Sequence, residues 1–109
     1  SLVRRWRNLA RDRILNLIGL AMKAGKVVSG EFSVEKCIKS GKARLVIIAT
    51  DASENTKKKF EDKCKFYHVP ILIYSTKEDL GMILGKGLRS SITLTEDGFK
   101  NAILKITEE

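Results

Sequence analysis

Glycines beside cations are the residues of this chain with most chemical promise, and phosphate binding is the first chemistry to test. Gly19 and Gly25-Lys26 enclose five residues where a nucleotide-cradling loop has four, and Val27 stands where Ser or Thr would hold magnesium. Gly81, Gly85 and Gly87 follow a helical pattern and lead toward a strand, so the strand-turn-helix context of a dinucleotide fingerprint is missing. Nucleophilic and acid–base machinery is sparse. His68 is the single histidine and reads as a surface turn residue before Val69-Pro70. Asp51 follows an apolar run, where α/β folds often place functional acids, but it lacks the neighbouring acids a metal would need. Either Asp51 or Ser53 suits a helix cap, and Asp51 with Glu54 has capping-box spacing. Cys37 and Cys64 make no CxxC or Cys/His cluster and read as small apolar residues in a reducing cytosol. No catalytic residue, metal site or cofactor is expected.

The pattern does support contact with a polyanion. Residues 1–50 carry eleven Lys/Arg against three acids, whereas residues 51–109 carry ten of each, so the whole net charge of +8 resides in the first half. A one-sided field of this kind gathers large anions, of which nucleic acid is the commonest. Two segments are suited to the backbone of such a ligand. Ser29-Gly30-Glu31 opens a helix, whose free N–H groups and dipole make an anion site, with Lys26 before it and Lys36 two turns in. Glu31 either weakens that field while accepting from a base edge, or stabilises the helix start. The second segment, Gly85-Lys86-Gly87-Leu88-Arg89-Ser90, joins flexible backbone to one apolar tip and two cations, suitable for gripping an extruded nucleotide.

The elements that must position these segments follow from periodicity. Residues 1–11 are basic without a clean period, an arm or the start of a helix, with Trp6 the one large aromatic able to anchor them. Ile14, Leu17, Ile18 and Ala21 then fall on one helical face, closed by Lys23, Ala24 and Gly25. Val27-Val28 reads as a short strand and 31–40 as a helix with Val34, Cys37 and Ile38 inward. Residues 44–50 (RLVIIAT) suit a strand buried on both faces. A thinly apolar helix carries Phe60, Cys64 and Tyr67, and Lys57-Lys58-Lys59 reads as its solvated face; 71–74 is a third strand. Residues 77–84 form a short helix, 91–94 the last strand, and Phe99, Ala102, Ile103 and Ile106 mark a closing helix. This alternation predicts a single-domain α/β protein: a three-layer α/β/α sandwich around about four strands, spanning 12–109 behind the basic segment 1–11. The 43% apolar and 31% charged fractions are those of an ordinary globular domain. The first thirteen residues hold five arginines where a secretory leader would be apolar, and the longest apolar run, 45–49, is too short to cross a membrane.

The ordered motifs GLAMKAGKVVSGEFSVEKCIKSGKARLVIIATDAS, then VPI at 69–71 and KEDLGMILGKG from Lys77, resemble the L-seven-Ae/L-thirty-e ribosomal-protein superfamily. The resemblance covers about 12–106 and is nearest to the family's small bacterial YlxQ-like branch. It implies an α/β/α sandwich that binds kink-turn RNA, a duplex sharply bent at a short bulge flanked by sheared G·A pairs. The family's second-helix signature is Gly-x-Asn-Glu-x-x-Lys; Gly30 and Lys36 match it, while Phe32 replaces the Asn and Ser33 the Glu. The two replaced residues are the ones that the resemblance implies read the G·A pairs. Phe32 is left either to stack on a base or to join the core one turn before Cys37. Lys77 matches a commonly basic family position, and Gly85–Ser90 the loop that packs on the extruded nucleotide.

Charge and resemblance together predict a non-enzymatic, cytoplasmic RNA-binding protein, free or ribosome-associated, monomeric when unbound and with no membrane partner. The alternative expectation is a protein-interaction adaptor that keeps the fold and only non-specific RNA affinity, motivated by Phe32 and Ser33.

Overall fold

Ser1 and Asp12 bracket the first element of the chain. In the computed structural model, which describes residues 1–109 with the side chain of Ala10 excepted, helix α1 (Leu2–Arg11) starts where Ser1 Oγ accepts from the Arg4 N–H at 3.2 Å. Asp12 is both the C-cap of α1 and the N-cap of α2 (Arg13–Lys23), its Oδ1 accepting from the Leu15 N–H at 2.9 Å. The basic segment is therefore a ten-residue helix. Trp6 does not anchor it by burial, being 48% exposed. The inward contacts come from buried Leu9 and from Arg5, which pairs with Asp79 and, at 3.3 Å, with Glu78.

The remaining elements are β1 (Val27–Ser29), α3 (Glu31–Lys39), β2 (Leu45–Ile48), α4 (Glu54–Tyr67), β3 (Ile71–Ile73), α5 (Lys77–Ile83), β4 (Ser91–Leu94) and α6 (Asp97–Thr107). The four strands form one sheet in the order β1-β4-β2-β3. β2 and β3 are parallel, whereas β4 runs antiparallel to β1 and β2. The direction of β4 follows from the connection before it. The Arg89 N–H donates to the Lys77 carbonyl at 3.1 Å, so α5 and its loop return the chain to the end of the sheet it has just left. Helices α3 and α4 pack together on one face, and α2 packs with α1, α5 and α6 on the other. The α/β/α sandwich around four strands is as the alternation predicts.

The core is aliphatic: all of β2 and β4 is buried, with Ile18, Val34, Ile38, Phe60, Leu80 and Ile103 closing over them. On α2 the buried set is Ile14, Leu15, Ile18 and Ala21; Leu17 is only partly covered and faces α6, so the helix is rotated slightly from the expected face. The buried hydroxyl of Thr93 crosses strands, donating to the Leu45 carbonyl at 2.9 Å, and so satisfies its polarity without water. Ser53 caps α4 through the Thr56 N–H at 3.1 Å. Asp51 has a different job from the capping box: its Oδ1 accepts from the N–H of Lys77, the first residue of α5, at 2.9 Å. Tyr67 is exposed and stacks edge-on with Phe66, 4.9 Å between ring centres, outside the core formed by Phe60 and Cys64.

Candidate nucleic-acid interface

The register of the sheet brings two of the predicted segments to one end. Ser29 closes β1, Ser91 opens β4, and Ile48, the last residue of β2, pairs with Ser91. The loop Gly85–Ser90 therefore arrives beside the start of α3. Two bonds join them: the Gly30 N–H donates to the Ser91 carbonyl at 3.0 Å, and Arg89 Nε donates to Ser29 Oγ at 3.2 Å.

Gly30 takes φ 98°, a conformation in which a side chain is strained, and it caps α3 without any side-chain acceptor. The first intrahelical bond of α3 is Val34 N–H to the Gly30 carbonyl at 2.9 Å. The N–H groups of Glu31, Phe32 and Ser33 therefore stay open at the positive end of the helix dipole, where an anion binds favourably. Phe32 is 81% exposed, which removes the core alternative and leaves its ring free for stacking. Phe32, Ser33 and Lys36 line a shallow groove with Val28, Cys37, Ser40 and Lys42.

Glu31 does not stand alone in that field. Lys59 from α4 binds Glu31 at 3.2 Å and Glu35 at 2.7 Å, and Glu35 also takes Lys39 at 3.1 Å and Lys63 at 3.5 Å. The hydrogen bonds from Lys59 and then Lys39 hold the Glu35 carboxyl down at about 2, and those carboxylates in turn raise Lys59. Lys59 is thus a partly exposed cation committed to an α3–α4 clamp, and its partner Glu31 lies 28 residues away, beyond any local pattern. Among the described residues, Arg4, Arg7, Arg11, Lys23, Lys26, Lys36 and Lys42 of the first half enter no ion pair, and neither do Lys65, Lys77, Lys86, Arg89 and Lys105 of the second, so the excess of the first half is a bias and not a monopoly.

The second segment is held from beneath. The Lys86 N–H donates to the Gly81 carbonyl at 2.8 Å, and a β-carbon on Gly81 would overlap the Gly87 carbonyl. Leu88 is 64% exposed at the tip, beside exposed Lys86. Arg89 is half-buried and turned inward, Nη1 donating to the Leu88 carbonyl at 2.9 Å while Nε holds Ser29. Ser90 accepts the Ala49 N–H through its carbonyl at 2.9 Å, fixing the loop to the end of β2. Lys77 lies at the same end, tied through its backbone to Asp51 and Arg89. Lys26 is set apart from these residues: it precedes β1, bonded through its backbone to Ala21 and Thr95 at the opposite end of the sheet.

Neither thiol is poised for chemistry: burial pushes Cys64 up to about 11 and raises Cys37 despite the opposing pull of Lys42 and Arg44. His68 is exposed and caps α4 with φ 59°. Among the described residues, no helix is long and apolar enough to cross a membrane.

Fold and site define a small α/β/α sandwich whose exposed basic face is built on a helix start and an adjoining loop. The chain belongs to the ribosomal protein L7Ae/L30e/S12e/Gadd45 family, whose model matches residues 12–104. It is 42% identical to the RNA-binding protein YlxQ of Bacillus subtilis (strain 168) over 92 residues, covering 84% of this chain and 92% of that protein. It is 39% identical to the RNA-binding protein YlxQ of Enterococcus faecium over 98 residues, covering 90% and 94%. The structure of a protein with unknown function from Bacillus halodurans C superposes with a TM-score of 0.85 at 35% identity, covering 89% of this chain and 98% of that one. The Giardia lamblia 15.5kD RNA binding protein shares the fold, with a TM-score of 0.74 at 24% identity over 86% and 81%.

Proposed function

We propose that the chain is a non-enzymatic RNA-binding protein, acting as a monomer in the cytoplasm or on ribosomes, that holds a kink-turn-like bent duplex between α3 and the Gly85–Ser90 loop. The observation that carries this reading is the Arg89–Ser29 bond, because it sets an open helix start and a pinned, apolar-tipped loop side by side. The helix N–H groups and Lys36 would take phosphates, Phe32 would stack on a base and Leu88 would pack on an extruded nucleotide. The similarity to the YlxQ RNA-binding proteins supports RNA as the ligand class. With Phe32 and Ser33 in place of polar base readers, recognition would rest on the shape of the bend more than on base edges.

The test is a salt titration of binding to a kink-turn RNA beside an unkinked duplex of equal length. Neutralising roughly six phosphates gives a log–log slope of about −4 to −5. A preference of about tenfold for the bent RNA, about 1.4 kcal/mol, is the expected result. Equal affinity at the same slope would leave only phosphate gripping, and a protein partner that survives nuclease would favour the adaptor reading.

A further inference from the structure

Helix α1 lies ahead of the family's matched residues, which begin at 12, yet it is folded onto the domain by Leu9 and by the Arg5 pairs to Glu78 and Asp79. Its composition is one-sided. Arg4, Arg7 and Arg11 recur at i, i+3 and i+7, one exposed face of a helix that holds no acidic residue. They enter no ion pair among the described residues, unlike Arg5 on the inner side. Seven residues of helix place Arg4 and Arg11 about 10 Å apart along the axis.

One flank of α1 opens on a groove. Trp6 forms one wall, Leu20 and Lys23 of α2 another, and Met82 and Ile83 of α5 the floor, with Gly85 at its end. Among the described residues no acid lines it, and Leu20 is 55% exposed. Gly85 is the first residue of the loop assigned above to the extruded nucleotide, so the groove is continuous with the proposed RNA interface.

We infer that α1 is a second RNA contact: Arg4, Arg7 and Arg11 grip the backbone of a single-stranded segment leaving the bent duplex, and one of its bases stacks on Trp6 in the groove. This inference rests on the RNA-binding reading above. A half-exposed indole offers a flat apolar face to any base, and nearby cations hold the strand against it. Charge decides the occupant: a wall of Trp and aliphatics that carries Lys23 and no acid among the described residues, beside a helix whose outer face is Arg4, Arg7 and Arg11, suits a polyanion with apolar faces.

Trp6 is the chain's single tryptophan, so its fluorescence reports the contact directly. The probes are a kink-turn RNA with a single-stranded uridine extension and the same RNA blunt-ended. The extended RNA should quench Trp6 and bind about fivefold or more tighter than the blunt one, an advantage abolished by Trp6→Ala. Replacing Arg4, Arg7 and Arg11 together by Gln should lower the salt slope for the extended RNA by about 2. Lys36→Ala should weaken both RNAs, which reports on the α3 site separately.

Unchanged Trp6 fluorescence at saturation, or equal affinity of wild type and both α1 variants while Lys36→Ala still weakens binding, overturns the inference and spares the first site. Loss of binding in the α1 variants alone, with Lys36→Ala silent and no preference for the bend, supports the inference and removes the kink-turn reading. No binding of either RNA overturns both. A dimer in sedimentation that Trp6→Ala dissolves, with RNA affinity unchanged, would assign the groove to a second copy of the chain and overturn the RNA contact.

Discussion

Arg89, half-buried before β4, donates through Nε to Ser29 Oγ at the end of β1, 3.2 Å away. The bond crosses 60 residues of sequence and, among the described residues, is the one side-chain bond between the loop and the start of α3. Arg89→Ala should weaken kink-turn RNA about fivefold, on the scale of one hydrogen bond of about 1 kcal/mol. The salt slope tells how. A strut leaves it unchanged, whereas a phosphate contact would lower it by nearly 1 in magnitude. Ser29→Ala should reproduce the strut loss, and the double variant should lose no more than either single one.

Two glycines should fail for different reasons. At Gly81 the backbone is helical, and alanine there would gain about 1 kcal/mol of helix propensity. The overlap with the Gly87 carbonyl costs about 3 kcal/mol or more and wins. Gly81→Ala should thus lower stability by about 2 kcal/mol in denaturant titration and displace the loop. Gly30 has open space around its missing β-carbon, so Gly30→Ala should lose about 1–2 kcal/mol from its φ of 98° alone.

Phe32→Ala separates folding from binding. An exposed ring contributes little to stability, so the unfolding midpoint should move by less than about 0.5 kcal/mol. Loss of one stacked base should cost about fivefold or more in RNA affinity. A variant with unchanged affinity would put Phe32 outside the interface.

Tyr74 donates to Asp12 Oδ2 at 2.6 Å, and burial first, then this bond and the Asp12 charge, push the phenol up to about 12. The fold favours the protonated phenol, so its contribution is complete below the ordinary value of 10 and is lost as pH rises toward about 12. Asp12→Asn keeps a capping oxygen but removes the charge; Tyr74 should then titrate lower in an ultraviolet phenolate titration. Tyr74→Phe should cost about 1–2 kcal/mol at neutral pH.

The Glu35 carboxyl, held at about 2, has the opposite sign. Its contribution is complete above the ordinary carboxylate value of 4.5 and is lost as pH falls toward about 2. Lys59→Gln removes its largest cause, so the carbon resonance of the Glu35 carboxyl should titrate closer to 4.5 in NMR.

Legibility followed the range of the interactions. Ile14, Ile18 and Ala21 declare a helix by spacing, and RLVIIAT declares a strand covered on both sides, because those signals lie within a few residues. Gly30 and Gly85, both at positive φ, mark the two segments of the site for the same reason. Residues whose meaning depends on a distant partner stayed hidden. Asp51 looked like a cap for α4 and serves α5; Lys59 looked solvated and clamps α3. The burial of Phe32 was open because helical spacing to Cys37 is shared by core and rim positions alike, and only packing decides between them. In helix α1 the apolar residues Leu2, Trp6 and Leu9 share helical spacing but are thinned by four arginines, and of the three only Leu9 is buried, while Arg5 meets α5 in space.

Asp12 ends one helix and begins the next with no residue between, and its second carboxylate oxygen is moored to Tyr74. The corner of the chain is thus a welded joint, not a hinge. The ordering entropy of α1 is spent during folding, so a partner meets a fixed ruler of arginines and loses little of its binding energy to arranging them. Cutting that mooring should leave the composition of α1 intact while turning it from a template into a tether.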